Sequence, residues 1–197
     1  MAADHEQRVE GAGGESSLPL HSEHLADLRE RSGLGDETIR TAGIRSLAPG
    51  EWPRKLSQRL TAKVRSCYLI PYPEAEGFYR VKLFPAIADG GGHTIRYYQP
   101  AGTAPRLYLP PHARAALADP TVTLLITEGE KKALKADQEG LACAALGGLW
   151  SWLLDGQPLP DLDRVDWCER EVLLAPDSDV WVRPDLLQAI YAFGKEL

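Results

Sequence analysis

From His21 the apolar positions Leu25 and Leu28, then Leu34, Ile39 and Ile44, recur at helical spacing, with Ser32-Gly33 between the two groups. This pattern predicts two short helices joined by a turn, the second opened by Gly35-Asp36. Beyond residue 65 the period changes to that of strands. The segments CYLIPYP, GFYRVKLFP, TIRYYQP and RLYLPP are short, aromatic or β-branched, and bounded by Gly or Pro, and Asp89-Gly90-Gly91-Gly92 separates two of them as a loop. Residues 66–110 are expected to form a small, mostly antiparallel sheet. Pro110-Pro111 ends it, and HARAALAD reads as a one- or two-turn helix leading to Pro120.

From Thr121 onward the character changes again. TVTLLIT is a nearly continuous apolar strand of the kind buried on both faces of a parallel sheet, and EGEKKALKADQEG after it is a charged helix closed by Gly140. LACAAL reads as a second buried strand, GGLWSWLL as a glycine-started turn and helix, EVLLA as a third strand, and PDLLQAIYAFGKEL as a final helix with Pro184 in its first turn. Alternating strand and helix imply an α/β fold: a parallel sheet with flanking helices and right-handed crossovers over residues 119–197. A small α+β region with short antiparallel strands precedes it over residues 21–118. Residues 1–20, rich in Gly, Ser and acids without apolar periodicity, are expected to be a disordered leader.

With 197 residues, 44% of them hydrophobic, the chain is large enough to bury a core without disulfides or structural metals. Its longest apolar stretches, Leu141 to Leu146 and Leu149 to Leu154, fall far short of the roughly 20 residues that span a bilayer. The N-terminus lacks the basic and apolar segments of a secretory signal, so no membrane association and a cytoplasmic location are expected. Cys67, Cys143 and Cys168, an odd number with no C-x-x-C, are expected to be reduced and buried. His21 and His24 read as surface histidines, and His93 and His112 as loop residues. Trp150, Trp152, Trp167 and Trp181 read mostly as core, with stacking on bases as the alternative.

The net charge of −6 argues against a protein coated for nucleic acid, but its distribution is uneven. Residues 40–65 carry seven bases against Glu51 alone, a local positive field that can meet phosphates. Arg54, Lys55 and Arg59 are its candidate contacts with DNA, a solvated helix face being the alternative.

In parallel α/β sheets ligands sit at the carboxyl ends of strands, and few polar residues occur there. TVTLLIT ends in Glu128-Gly129-Glu130, LACAAL in Gly147-Gly148, and EVLLA in Pro176 followed by Asp177-Ser178-Asp179. Converging carboxylates need a cation, and a small set of hard oxygen donors suits Mg²⁺, which leads to phosphoryl or nucleotidyl transfer. Asp177 and Asp179 can share one side of an extended segment and one metal. Gly129 lets a phosphate approach the backbone at a helix N-terminus, and Lys131 and Lys132 stand where they can touch phosphates. Each cluster alone is also an ordinary feature, a charged helix start or a capping cluster.

The succession of apolar strand, Glu128-Gly129, helix, apolar strand, Gly147-Gly148, apolar strand and Asp177-x-Asp179 resembles the TOPRIM domain of bacterial-type primases, topoisomerases and some nucleases. The string ITEGEKKALKADQEGLACAALGGLWSW, with LLAPDSDV downstream and HLADLRERSGLGDETIRTAGI, LIPYP and RLYLPP upstream, resembles more closely an uncharacterised TOPRIM-like domain. That domain occurs in replication proteins of plasmids, phages and integrative elements. The closer resemblance covers residues 21–197 and the bare TOPRIM motifs 119–183. It implies Glu128 as acid/base, Asp177 and Asp179 as ligands of Mg²⁺ or Mn²⁺, and Glu130 as auxiliary. The implied partners are a single-stranded DNA template, nucleotides and a replicative helicase module, and the implied reaction is primase-like. A TOPRIM nuclease and a non-catalytic nucleic-acid-binding module are the alternatives. The family continues with a further strand after the last helix, so the chain is expected to be incomplete at its C-terminal end.

Overall fold

The two helices expected after His21 form as α1 (Ser22–Arg29) and α2 (Asp36–Thr41). The computed structural model describes residues 19–52, 56–88, 91 and 94–197. Most of the expected leader, the Arg54-Lys55 pair, His93 and all of the Asp89–Gly92 loop but Gly91 lie outside the described residues. A two-residue strand β1 (Arg45–Ser46), a 3-10 turn at Pro49–Glu51 and a single helical turn α3 (Gln58–Thr61) follow.

Strands β2 (Ser66–Pro71), β3 (Tyr79–Ala88) and β4 (Thr94–Tyr98) then build the expected antiparallel sheet, in the order β1-β2-β3-β4. Both of its faces are covered. Tyr68, Ile70, Tyr72 and Phe84 face α1 and α2, whereas Cys67, Leu69, Val81 and Leu83 pack against Leu47, Leu56, Leu60 and Val64.

RLYLPP departs from expectation. Tyr108 exchanges two backbone hydrogen bonds of 2.9 Å with Ala145, so this segment edges the second sheet instead of the first. That sheet is parallel, as expected: β5 (Leu124–Glu128) lies between β6 (Cys143–Leu146) and β9 (Val172–Ala175). Helix α4 (Pro111–Ala115) precedes β5, α5 (Glu130–Gln138) crosses from β5 to β6, and α6 (Pro184–Glu196) ends the chain. His112 thus sits on a helix and not in a loop.

GGLWSWLL is not a helix. It forms turns that run into strand β7 (Leu153–Leu154), which pairs with β8 (Gln157–Pro158) in a hairpin. Asp155 and Gly156 make its two-residue turn with φ of 51° and 78°, the left-handed geometry that a type I′ hairpin requires. Trp152 is drawn instead into the core, stacked 5.2 Å from Phe193 of α6.

The two sheets share a core. Leu28, Ile39, Tyr68 and Tyr72 from the first half meet Ala133, Leu134, Cys143 and Ala145 from the second, so packing runs across residue 118 without a break. Cys67 and Cys143 are buried and reduced, while Cys168 is exposed, contrary to expectation. Trp181 and Trp150 are also exposed. Among the described residues no helix is long and apolar enough to cross a membrane.

His24 was expected at the surface and is fully buried. Its Nδ1 lies 2.6 Å from Ser46 Oγ, its ring packs against Tyr68 and Phe84, and Nε2 has no partner among the described residues. Burial lowers its pKa from 6.5 to about 4, His21 adds to the shift, and Glu23 and Asp27 oppose it. Because the unfolded chain takes up this proton first, the stability held by neutral His24 is complete above pH 6.5 and is lost as the pH falls towards 4. At about 1.4 kcal/mol per pH unit the loss is on the order of 3 kcal/mol. Urea unfolding at pH 7, 5.5 and 4 should show this fall in the wild type and a shallower one in His24→Leu. Parallel curves would mean that another group carries the acid sensitivity.

Candidate active site

The order β6-β5-β9 places β5 at the centre of the parallel sheet, so its carboxyl end adjoins the end of β9. Glu128 is the last residue of β5, and Asp177 and Asp179 follow β9 directly. The two acidic segments therefore meet as the strand-end reading expects. Asp177 and Asp179 do not lie along an extended segment, however. A 3-10 turn at Ser178–Val182 begins immediately after Asp177 and curls the chain at once.

Lys132 stands among these carboxylates. Its ammonium pairs directly with Asp177 and feels the charges of Glu128 and Asp179. Half-burial raises the pKa of Glu128; Lys132 draws it back and Asp179 pushes it further up. Burial lowers the pKa of Lys132, with Glu128 and Asp179 opposing. An ammonium held by carboxylates is the position that a dication would contest. The donors are all oxygens, which suits Mg²⁺ or Mn²⁺. Among the described residues, no three His, Cys, Asp or Glu side chains come close enough together to form a ready-made metal cage. Metal entry there requires Lys132 to swing away from Asp177.

Gly129 joins β5 to α5 at φ 89° and ψ 134°, backbone that a side chain rarely adopts, although a Cβ would meet no atom within 4 Å. Its own N–H donates to Leu146 O at 2.9 Å, so this amide is committed to β6 and is not offered to a phosphate. The remaining first-turn residues diverge. Lys131 turns back towards α1, where its Nζ lies 2.9 Å from Asp27 Oδ2, which also accepts from Tyr68 Oη at 2.8 Å.

Glu130 is 1% exposed. Its Oε1 accepts from Tyr72 Oη at 2.6 Å and from Arg80 Nη1 at 2.8 Å, while Oε2 has no partner among the described residues. Burial opposes the charge on Arg80, and Glu130 and Tyr72 beside it together more than restore it. The guanidinium also lies under β6: a Cβ on Gly147 would sit 3.1 Å from Arg80 Nη1. Gly147 is thus small because an arginine from the other sheet passes beneath it.

A cleft of about 490 Å³ joins these parts, with Glu128, Lys132 and Asp177 on one wall and Arg80, Arg96 and Tyr97 of β3 and β4 on the other. Arg80 and Lys82 lie over the Tyr97 ring at 5.0 and 4.6 Å. These residues of the first sheet were not singled out from sequence. The available signal was the alternation of Arg80 and Lys82 with Val81 and Leu83 in a strand whose flanks are aromatic, which puts two charges on one face.

Arg59 is elsewhere, on α3 beside Leu60, Ile87 and Tyr98. The basic segment is also less positive than its sequence, because Arg40, Arg45 and Arg65 pair with Glu37, Glu51 and Glu23. Arg54 and Lys55 fall outside the described residues. No protein-family model matches this chain, and no curated protein matches it significantly.

Proposed function

We propose that this chain is a TOPRIM-like domain of a mobile-element DNA replication protein, dependent on Mg²⁺ or Mn²⁺ and catalysing primase-like nucleotidyl transfer on a single-stranded template. It works in the cytoplasm, beside a replicative helicase module. The observation that carries this reading is the adjacency of two strand ends, the central strand's carrying Glu128 and its neighbour's leading into Asp177 and Asp179. Asp177 and Asp179 would hold the dication, which when bound supplies charge stabilisation to the transferring phosphoryl group. Glu128 accepts the proton of the attacking hydroxyl, a role suited to a half-buried carboxylate whose pKa is raised. Lys132 exchanges Asp177 for a phosphate oxygen. Glu130 lies in the cleft wall but spends its charge on Arg80 and Tyr72, so its part is to hold the two sheets in register.

A second reading, a nucleic-acid-binding module without turnover, is favoured by one observation. The ammonium of Lys132 already neutralises Asp177. The two separate in one experiment. Saturating Mn²⁺ or Mg²⁺, at about 100 times the dissociation constant, stabilises the folded chain by about 2.7 kcal/mol, or roughly 5–10 °C in melting temperature for a domain of this size. Asp177→Asn with Asp179→Asn should abolish the rise, and Lys132→Met should enlarge it. Equal shifts in wild type and double variant place the metal elsewhere. A chain that binds template but neither metal nor nucleotide is the accessory module.

A further inference from the structure

Beside the cleft, on the outward side of α5, the turn after α1 meets three lysines. Arg31 and Ser32 from that turn and Lys131, Lys132 and Lys135 from α5 line a pocket of about 410 Å³. We infer that this pocket is an anion site for closely spaced phosphoryl groups, separate from the carboxylates of the candidate active site.

Charge is the first ground. Lys82 is half-buried, and Lys131, Arg96 and Arg31 all press on it, with Asp27 as the one opposing carboxylate. The pocket itself is lined by four cations and no carboxylate, although Lys131 pairs with Asp27, Lys132 with Asp177 and Lys135 with Glu139 beyond its lining. Arg31 and Arg96 have no carboxylate partner among the described residues, and the Lys135–Glu139 pair is a surface i,i+4 contact of small worth. Such a field costs folding energy that a polyanion returns.

Shape is the second. The stem of Lys135 lies across Gly33, whose Cα would carry a Cβ only 3.5 Å from Lys135 Cε, so the lysine is steadied against the Arg31–Gly33 turn. Arg31 offers a planar fork and the lysines offer point charges, a donor set that suits several phosphate oxygens at once, while the Ser32 hydroxyl is already donated to Asp27 O at 2.8 Å. The pocket is open to solvent along α5 and shares Lys131 and Lys132 with the cleft that holds Glu128 and Asp177. A phosphate chain seated here points its end at those carboxylates.

The shared chemistry has two sources, the tail of a nucleoside polyphosphate and the backbone of a single strand. The probes are therefore inorganic tripolyphosphate and an oligodeoxythymidylate, titrated in EDTA so that the metal site plays no part. The inference does not rest on turnover, and Asp177→Asn with Asp179→Asn should retain both affinities. Arg31→Glu with Lys135→Glu alters two surface groups and leaves the melting temperature of the free protein near that of the wild type. It should weaken tripolyphosphate, the oligonucleotide or both by at least tenfold, with the wild-type affinity falling steeply as salt rises. Loss for tripolyphosphate alone identifies the nucleotide tail as the ligand; loss for the oligonucleotide, alone or with it, identifies the strand. Binding of both probes unchanged by the charge reversal, or no binding of either by the wild type, overturns the inference.

Discussion

Replacing Arg80 by methionine should cost about 3–5 kcal/mol of stability, because the Glu130 carboxylate, 1% exposed, would then lie buried with Tyr72 as its sole donor. For a chain of this size that is a fall of roughly 6–20 °C in melting temperature. Glu130→Met should be of similar severity, since it leaves the guanidinium of Arg80 uncompensated beneath Gly147. The double change Arg80→Met with Glu130→Met should be milder than either single one. It buries no lone charge and leaves chiefly the Tyr72 hydroxyl without its partner, at about 1–3 kcal/mol. Urea unfolding of the four proteins closes the cycle. Additive losses would mean that Arg80 and Glu130 act independently and that the sheets are held in register by apolar packing alone.

That ion pair also marks where the sequence stops being readable. Strands β5 and β6 were legible because they are largely buried, which writes them as short apolar runs between polar punctuation, and β9 carries a similar run although Leu173 is exposed. The ends of those runs then singled out Glu128, Asp177 and Asp179 as candidates without any knowledge of distant contacts. Arg80, Tyr72, Tyr97 and Asp27 complete the cleft and its surroundings from segments some 50 to 100 residues away, and no local pattern encodes such a meeting. Glu130 is a case of the same kind. Read from sequence as auxiliary to the metal, with a charged helix start as the alternative, it lies buried against an arginine from the first sheet, a contact that no local pattern encodes. His24 looks like a surface histidine because its helix is polar; Ser46 and the rings of Tyr68 and Phe84 close over it from the sheet. GGLWSWLL is different, because its signal was local. Asp155-Gly156 between Leu153-Leu154 and Gln157-Pro158 is a hairpin turn, and the apolar density before it hid it.

Glu128→Gln should spare stability and sharply slow turnover, the opposite of the changes at Arg80 and Glu130. The amide keeps the shape and much of the hydrogen bonding of the carboxylate, but it cannot accept a proton at neutral pH. Among the described residues Glu128 makes no ion pair that holds the sheets together: Lys132 pairs with Asp177, and Arg183 pairs with Asp185. Melting temperature, Mn²⁺ binding and template binding should therefore remain near those of the wild type. Template-directed nucleotide incorporation should fall by roughly 10²–10⁴-fold, the contribution typical of a general acid or base. If the substrate hydroxyl is that of water, strand nicking falls by the same factor instead, and the product distinguishes polymerisation from hydrolysis. A Glu128 that merely favours the start of α5 by its charge would contribute about 0.3–1 kcal/mol of stability and nothing to the rate. Full incorporation by Glu128→Gln would remove Glu128 from the chemistry. Absence of incorporation and nicking in a wild type that binds metal and template would leave the strand-end carboxylates as a binding site without turnover.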